Sequence, residues 1–362
     1  MRDQDRSILF IANGGPESAA AERARRFAAA TVGRTRVLTR PTGRLRSVST
    51  LTSMALAFDP DLVYCVDLAV VPVVVGVVSS RKAKLIVDTG DYPSAFFRQI
   101  RSGVAKVMAA RAMEEVVYRR ADAVVVRGMH HSAIMRGHGV RRVAVIPDGV
   151  DLEQVTPQTD LALRERHGLH KVLTVGIAGH FTWYERLRGG LGRELVCALS
   201  LLRDLPIHVV LIGDGPGLSH LRVLAAELGV SQRLHILGWI PYQHYAQYLS
   251  LIDVCVLTQT NDQSSWVRTT GKLPGYMASG RYILASAVGT AQSILPDEML
   301  IPYVGQWDET YPAKLATRLR DLASHPDRLA AGLALRSKAD AFAYSRISVT
   351  AAALIDSVLG AV

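Results

Sequence analysis

"IHVVLIGDGPGLSHLRVLAAELGVSQRLHILGWI", Ile207–Ile240, holds a strand, a turn, a helix and a second strand in one uninterrupted stretch. Ile207–Ile212 is a short apolar run of strand length. Gly213, Gly215 and Gly217 then punctuate the chain ahead of a helix over Leu218–Leu228. "RLHILGWI" opens the next apolar run. Short apolar runs alternating with helices imply parallel strands with both sheet faces covered.

The same alternation runs outward in both directions. Toward the N-terminus lie "SILFIAN" (Ser7–Asn13), a helix from Ser18 to about Thr31, "RVLTR", "DLVYCV" (Asp61–Val66), the apolar helix Leu68–Val78, "KLIVDTGD" (Lys84–Asp91), a helix over Gly103–Arg120 and "ADAVVVRG". "RRVAVIPDGVDLEQVTP" (Arg141–Pro157) closes this series with Pro and Asp-Gly punctuation. A second series starts at "KVLTVGIAGHF" and continues through helix Leu191–Arg203, the opening stretch, helix Tyr242–Ser250, "DVCVLTQ" and "YILAS". The fold class is therefore α/β, with two Rossmann-like, doubly wound domains divided near Gly168. Two such domains place a cleft between the carboxyl ends of their sheets, where open α/β sheets bind ligands.

The 362 residues are 49% hydrophobic and 20% charged, enough for two cores and unlike a disordered chain. Cys65, Cys197 and Cys255 lie in apolar runs without metal or disulfide spacing, which reads as reduced thiols of a cytoplasmic protein. "MRDQDRS" is charged and "ILFIA" is too short for a signal h-region; Leu68–Val78 is too short to span a bilayer. The net charge of +10 favours anionic partners: phosphorylated ligands, nucleic acid or an acidic membrane. Arg25, Arg26, Arg34, Arg36, Arg40, Arg44 and Arg46 form a basic surface that leaves peripheral membrane contact open. No nucleic-acid signature accompanies them.

Several stretches carry candidate chemistry. In "NGGPES", Gly14 and Gly15 let backbone N–H groups approach a phosphate at a helix N-terminus. A tight structural turn is an equal reading there; Gly213 and Asp214 occupy a second such turn, for which a plain strand–helix turn is again the alternative. "GHFTWYERLRGG" offers His180, Arg186 and Arg188 after a strand, and arginine forks suit diphosphates. Arg188 reads as a surface charge. "RTTGK" sets Thr269, Thr270, Gly271 and Lys272 before a helix opened by Pro274. Asp67, Asp88 and Asp91 follow strand ends and are the candidate catalytic carboxylates. No metal-ligand spacing exists, and HExxH, GxSxG and Walker A patterns are absent. Gly275 is a puzzle: glycine in a helical turn costs about 1 kcal/mol relative to alanine.

With these residues in view, the chain resembles the group 1 retaining glycosyltransferases of the GT-B fold. The resemblance rests on "PDLVYCVDLAVVP", on "RRADAVVVRG" with "GVRRVAVIPDGVDLEQVTP", on the "VVLIGDGPG" to "DVCVLTQ" passage, and on "KLPGYMASGRYILAS" followed by "VGTAQSIL". It implies an acceptor domain over 1–168 completed by a C-terminal helix at 345–362, and a donor domain over 169–344. It implies retaining, metal-independent transfer of a sugar from a nucleotide-diphosphate donor to a small-molecule or lipid-linked hydroxyl, with no cofactor. Carried over by position, Gly14, Gly15, His180, Arg186, Gly213, Asp214, Thr269, Thr270, Gly271, Lys272 and Gly275 form the donor site, while Asp67, Asp88 and Asp91 face the acceptor or sugar. The composition suits a high-GC bacterium, where natural-product and cell-envelope acceptors both occur.

The sequence departs from the family where two glutamates usually stand. It has Val267 and Gly275 there. The second glutamate holds ribose hydroxyls in the family, so a deoxynucleoside donor is one expectation and replacement by Asp262 another. Two further alternatives remain open: a catalytically degenerate partner protein, and a nucleotide-sugar epimerase of the same fold.

Overall fold

The computed structural model describes residues 6–40 and 44–360. Residues 1–5, which carry most of "MRDQDRS", and the last two residues of the expected C-terminal helix lie outside it, as do the side chains of Arg44 and Arg46. The chain divides into two compact units: Met1–Gly149 with Trp266–Thr269 and Tyr344–Val362, and Val150–Ser265 with Thr270–Ala343.

The first unit is built on six parallel strands: β1 (Ser7–Ala12), β2 (Arg34–Thr39), β3 (Leu62–Val66), β4 (Lys84–Thr89), β5 (Ala123–Val126) and β6 (Val143–Val145), in the order β2-β1-β3-β4-β5-β6. Alternate residues enter two cores because successive side chains point to opposite faces. Leu9, Ile11, Val63, Leu85, Val87 and Val124 fill one core. Ile8, Phe10, Tyr64, Ile86 and Val125 fill the other, where Ile347, Ala351 and Ile355 of the helix Tyr344–Leu359 cover them. The last helix of the chain is thus part of the first unit.

The second unit contains β7 (Leu173–Ala178), the two-residue strands β8 (Trp183–Tyr184) and β9 (Gly189–Gly190), β10 (Ile207–Ile212), β11 (Leu234–Gly238), β12 (Val254–Leu257), β13 (Tyr282–Ser286) and β14 (Leu300–Ile301). Its six-stranded sheet runs β11-β10-β7-β12-β13-β14 with every pairing parallel. β8 and β9 form a separate antiparallel hairpin within the stretch Gly179–Gly190.

Three expectations need correction. The first concerns the boundary, which falls at Gly149 and not near Gly168. Asp160 caps the short helix Leu161–Arg166, accepting from the Leu163 N–H at 2.8 Å. Arg164 in that helix forks onto Asp253 at 3.0 and 3.1 Å, just ahead of β12. Residues 150–168 therefore belong to the second unit. The second concerns Pro274. The helix there spans Lys272–Ala278, so Pro274 is its third residue. Its missing N–H still falls among the first four, which have no intrahelical partner. The third concerns the helix expected at Tyr242–Ser250. Only Tyr245–Leu249 is α-helical, with a 3₁₀ turn at Tyr242–His244.

Candidate active site

Candidate residues gather at the carboxyl edge of each sheet. In the first unit, β3 leads into Asp67, β4 into Gly90 and Asp91, β5 into Arg127, and β6 into Asp148. Asp67 has φ +72°, a left-handed conformation that aspartate tolerates better than most residues. Its N–H donates to the Asp88 carbonyl at 2.8 Å. Burial pushes its carboxyl up to about 6 against the pull of the Arg127 guanidinium, and Asp91, Asp88 and Asp148 add to the rise.

Asp88 is fully buried. Its carboxylate accepts from Arg23 Nε at 2.8 Å, from Tyr64 Oη at 2.8 Å, and from Arg127 Nη1. Burial alone would raise its pKa; the Arg127 and Arg23 charges outweigh burial and hold it below the ordinary value. Arg23 goes on to bond the carbonyls of Ile146 and Pro147. This corrects the expectation that Asp88 faces substrate: it is consumed in tying β4, β5 and the loop after β6 together. Asp91, by contrast, is exposed, and its Oδ1 pairs with Arg268 at 2.7–2.8 Å.

The segment Trp266–Thr269 lies in the first unit. Val267 is buried against Tyr92 and Ala95, so the position where the family often has glutamate is an apolar anchor here. Thr269, expected at the donor diphosphate, donates its hydroxyl to the Arg127 carbonyl at 3.2 Å. Gly14 has φ +104° and turns the chain into the helix Ala19–Ala30; Gly15 borders open space. Ser18 caps that helix, its Oγ accepting from the Ala21 N–H at 3.2 Å.

In the second unit, backbone proximity builds the edge. Gly213 has φ +126°, and a Cβ there would lie 1.9 Å from the Gly179 carbonyl oxygen. At Gly215 a Cβ would lie 2.2 Å from the Phe181 carbonyl oxygen. The turn alone accounts for these glycines. His180 and Asp214 follow β7 and β10 and pair at 3.0 Å on the surface. Tyr276 donates its hydroxyl to a carbonyl and receives an N–H from the same residue, Ala178, at 3.4 and 2.8 Å. That contact anchors the helix Lys272–Ala278 to the end of β7. Lys272 consequently lies over Gly179: a Cβ on that glycine would sit 2.5 Å from Lys272 Cε and 3.2 Å from Nζ. The neighbouring Thr270 hydroxyl is buried without a partner among the described residues. Gly271 caps the helix and is exposed, and Arg186 stands exposed in the turn between β8 and β9.

Gly275 now has a physical reason. A Cβ there would lie 3.0 Å from the Tyr245 hydroxyl and 3.1 Å from its Cε1, so the phenol occupies the space a side chain would need. Asp262 accepts from the N–H groups of Ser264 and Ser265 on one oxygen and from the Thr260 hydroxyl at 2.6 Å on the other, so both are engaged locally. Arg127, Tyr245 and Arg268 were not legible as site residues. A charged residue directly after "AVVV" was the one available signal for Arg127.

Residues 177–325 match the family Glycosyl transferases group 1. Residues 177–325 thus resemble a group 1 glycosyltransferase domain. A D-inositol 3-phosphate glycosyltransferase of Geodermatophilus obscurus is 29% identical over 243 residues, covering 64% of this chain and 52% of that protein. Its counterpart in Streptosporangium roseum is 29% identical over 227 residues, 61% of this chain and 50% of that protein. The chain thus spans about half the length of the curated relatives it matches. Among solved structures, sucrose-phosphate synthase from Thermosynechococcus elongatus aligns with a TM-score of 0.76 at 18% identity, covering 99% of this chain and 100% of that one. Anabaena HepE in complex with UDP-glucose aligns at 0.74 with 19% identity, covering 97% and 99%. The fold is GT-B, with two Rossmann-like units, as in these two structures.

Proposed function

We propose that this protein is a group 1 glycosyltransferase that moves a sugar from a nucleotide-diphosphate donor to an acceptor hydroxyl, with retention and without a metal ion. The supporting observation is Lys272, seated at the end of β7 beside an unpartnered Thr270 hydroxyl. A nucleoside diphosphate leaves poorly unless its developing charge is balanced, and fixed donors aimed at that charge supply the main catalytic contribution. Lys272 supplies the charge in the second unit and Thr270 a hydrogen bond; His180 and Arg186 are further donor contacts. In the first unit, ionised Asp67 accepts from an acceptor hydroxyl, and exposed Asp91 presents a second carboxylate beside Arg268. The donor's own phosphate oxygen takes the acceptor proton. The protein works in the cytoplasm, and a lipid-linked acceptor would bring it to a membrane surface; no helix among the described residues is long and apolar enough to cross one.

The Tyr245 ring against Gly275 favours a donor that makes no carboxylate contact through its ribose, such as a deoxythymidine diphosphate sugar. The same substitutions, Val267 and Gly275, favour a second reading: a silent partner protein of the same fold. Radiolabelled sugar transfer with a panel of nucleotide sugars and hydroxyl acceptors tests the proposal. Transfer with retained anomeric configuration in the presence of a chelator supports it. Conversion of the donor alone points to an epimerase, and no turnover with any donor points to the silent partner.

A further inference from the structure

We propose that Arg127 is the positioning residue of the first unit, holding the strand-end loops in the arrangement through which Asp67 receives the acceptor hydroxyl. The inference rests on the glycosyl-transfer reading for the role of Asp67, and on the geometry for the role of Arg127. Arg127 is 4% exposed, so it cannot itself cover substrate. Its Nη1 bonds Asp88 and its Nε bonds Asp148 Oδ1 at 2.8 Å. Its carbonyl accepts the Thr269 hydroxyl. Its side chain packs under Gly90, where a Cβ would come within 3.4 Å of Arg127 Cγ and Nε. One side chain thus fixes the loops after β4 and β6, and its backbone fixes segment 266–269. The loop after β3 is fixed through Asp88, whose carbonyl accepts the Asp67 N–H.

The charges facing Asp67 are Arg127, Asp91, Asp88 and Asp148. Arg127 is the one cation among them and keeps Asp67 ionised at neutral pH, the form that accepts a hydrogen bond. Asp148 works in the opposite sense. Deleting each charge should therefore move Asp67 in opposite directions, a signature that a purely structural role would not give.

The test follows Asp67 by carbon-13 carboxyl NMR in the full chain, alongside the pH dependence of transfer. In wild type the Asp67 midpoint and the acidic limb of the rate profile should coincide near pH 6. Arg127→Met should raise the midpoint by about one unit or more, and Arg127→Lys should recover most of the shift. Asp148→Asn should lower it. Asp88 keeps Arg23 and Tyr64 in the Met variant, which favours folding. Should that variant not fold, Arg127→Gln takes its place in the comparison with Asp148→Asn. An unmoved Asp67 midpoint in the folded variants, or a shift of the same sign in Arg127→Met and Asp148→Asn, overturns the inference. A wild type that titrates as described but transfers no sugar overturns the glycosyl-transfer reading and leaves the Arg127 result to be judged on the titration.

Discussion

The two carboxyl edges solve the same problem with different chemistry. The edge of the first unit is held by buried charge: Arg23, Asp88 and Arg127 are each at most 4% exposed. The edge of the second is held by backbone contact, with Gly213 pressed on Gly179 and Gly215 on Phe181, and its paired charges, His180 and Asp214, lie in solvent. Buried ions are costly unless every partner is in place, which makes the first edge intolerant of losing any one. Backbone contacts make the second intolerant of a single added methyl group.

The comparison breaks first at Asp88. Asp88→Asn leaves two buried guanidinium groups short of their counter-charge and should cost about 3–5 kcal/mol in urea unfolding. The pH dependence carries a definite sign. Folding lowers the Asp88 pKa, so its contribution is complete above the ordinary aspartate value of about 3.9 and is lost as pH falls through and below it. Wild type should lose stability in that acid range and Asp88→Asn should lose less.

Next comes the glycine edge. Gly213→Ala meets the Gly179 carbonyl at a left-handed φ and should cost about 2–4 kcal/mol in the same assay. Gly15→Ala, with nothing within 4 Å of the added Cβ, should change stability by about 0.5 kcal/mol or less. Equal costs for the two would show that the second edge is not built by close approach.

Function sharpens the contrast further. Lys272→Ala should weaken nucleoside diphosphate binding by about 1.5–3 kcal/mol in calorimetry while the melting temperature stays near wild type. Unchanged binding would remove Lys272 from the donor site. The nucleotide panel belongs to the same experiment. Gly275→Glu alone must push Tyr245 aside, so the informative variant combines it with Tyr245→Ala. A gain in uridine diphosphate affinity for the double variant supports a donor site that has dispensed with the ribose carboxylate.

The smallest expected effect lies at the edge strand of the second sheet. His208 Nδ1 and His235 Nε2 sit 2.8 Å apart, a hydrogen bond that needs one of the rings neutral. Burial lowers both pKa values; Arg233 adds to the effect at His208, and the charges of His208 and His167 add to it at His235. Their contribution is complete above the ordinary histidine value of about 6.5 and is lost as pH falls below it. For a partly exposed pair the loss should stay under about 1 kcal/mol, and should shrink in His208→Gln.

The sequence by itself determined the parallel α/β class, the two strand series, the strand-end positions of Asp67, Asp91 and Gly213, and the place of Lys272 at the start of a helix. Those follow from local facts: apolar run length, glycine punctuation and helical spacing. The reading of Asp88 as a substrate-facing carboxylate failed for a reason the sequence does not show. Asp88 and Asp67 look alike in "VDTGD" and "CVDLA", yet one is sealed between two arginines and the other stands half-buried at a strand end. Arg23, Arg127 and Asp148 are scattered across more than a hundred residues, and only the sheet order brings them together. Gly275 was legible as an anomaly but not as an answer, because the ring that requires it comes from Tyr245, thirty positions earlier. The same holds for Trp266–Thr269, whose place in the first unit is decided by Val267 finding Tyr92 and Ala95. Strand and turn formation is set by neighbours in sequence; the ionisation and burial of a side chain are set by neighbours in space.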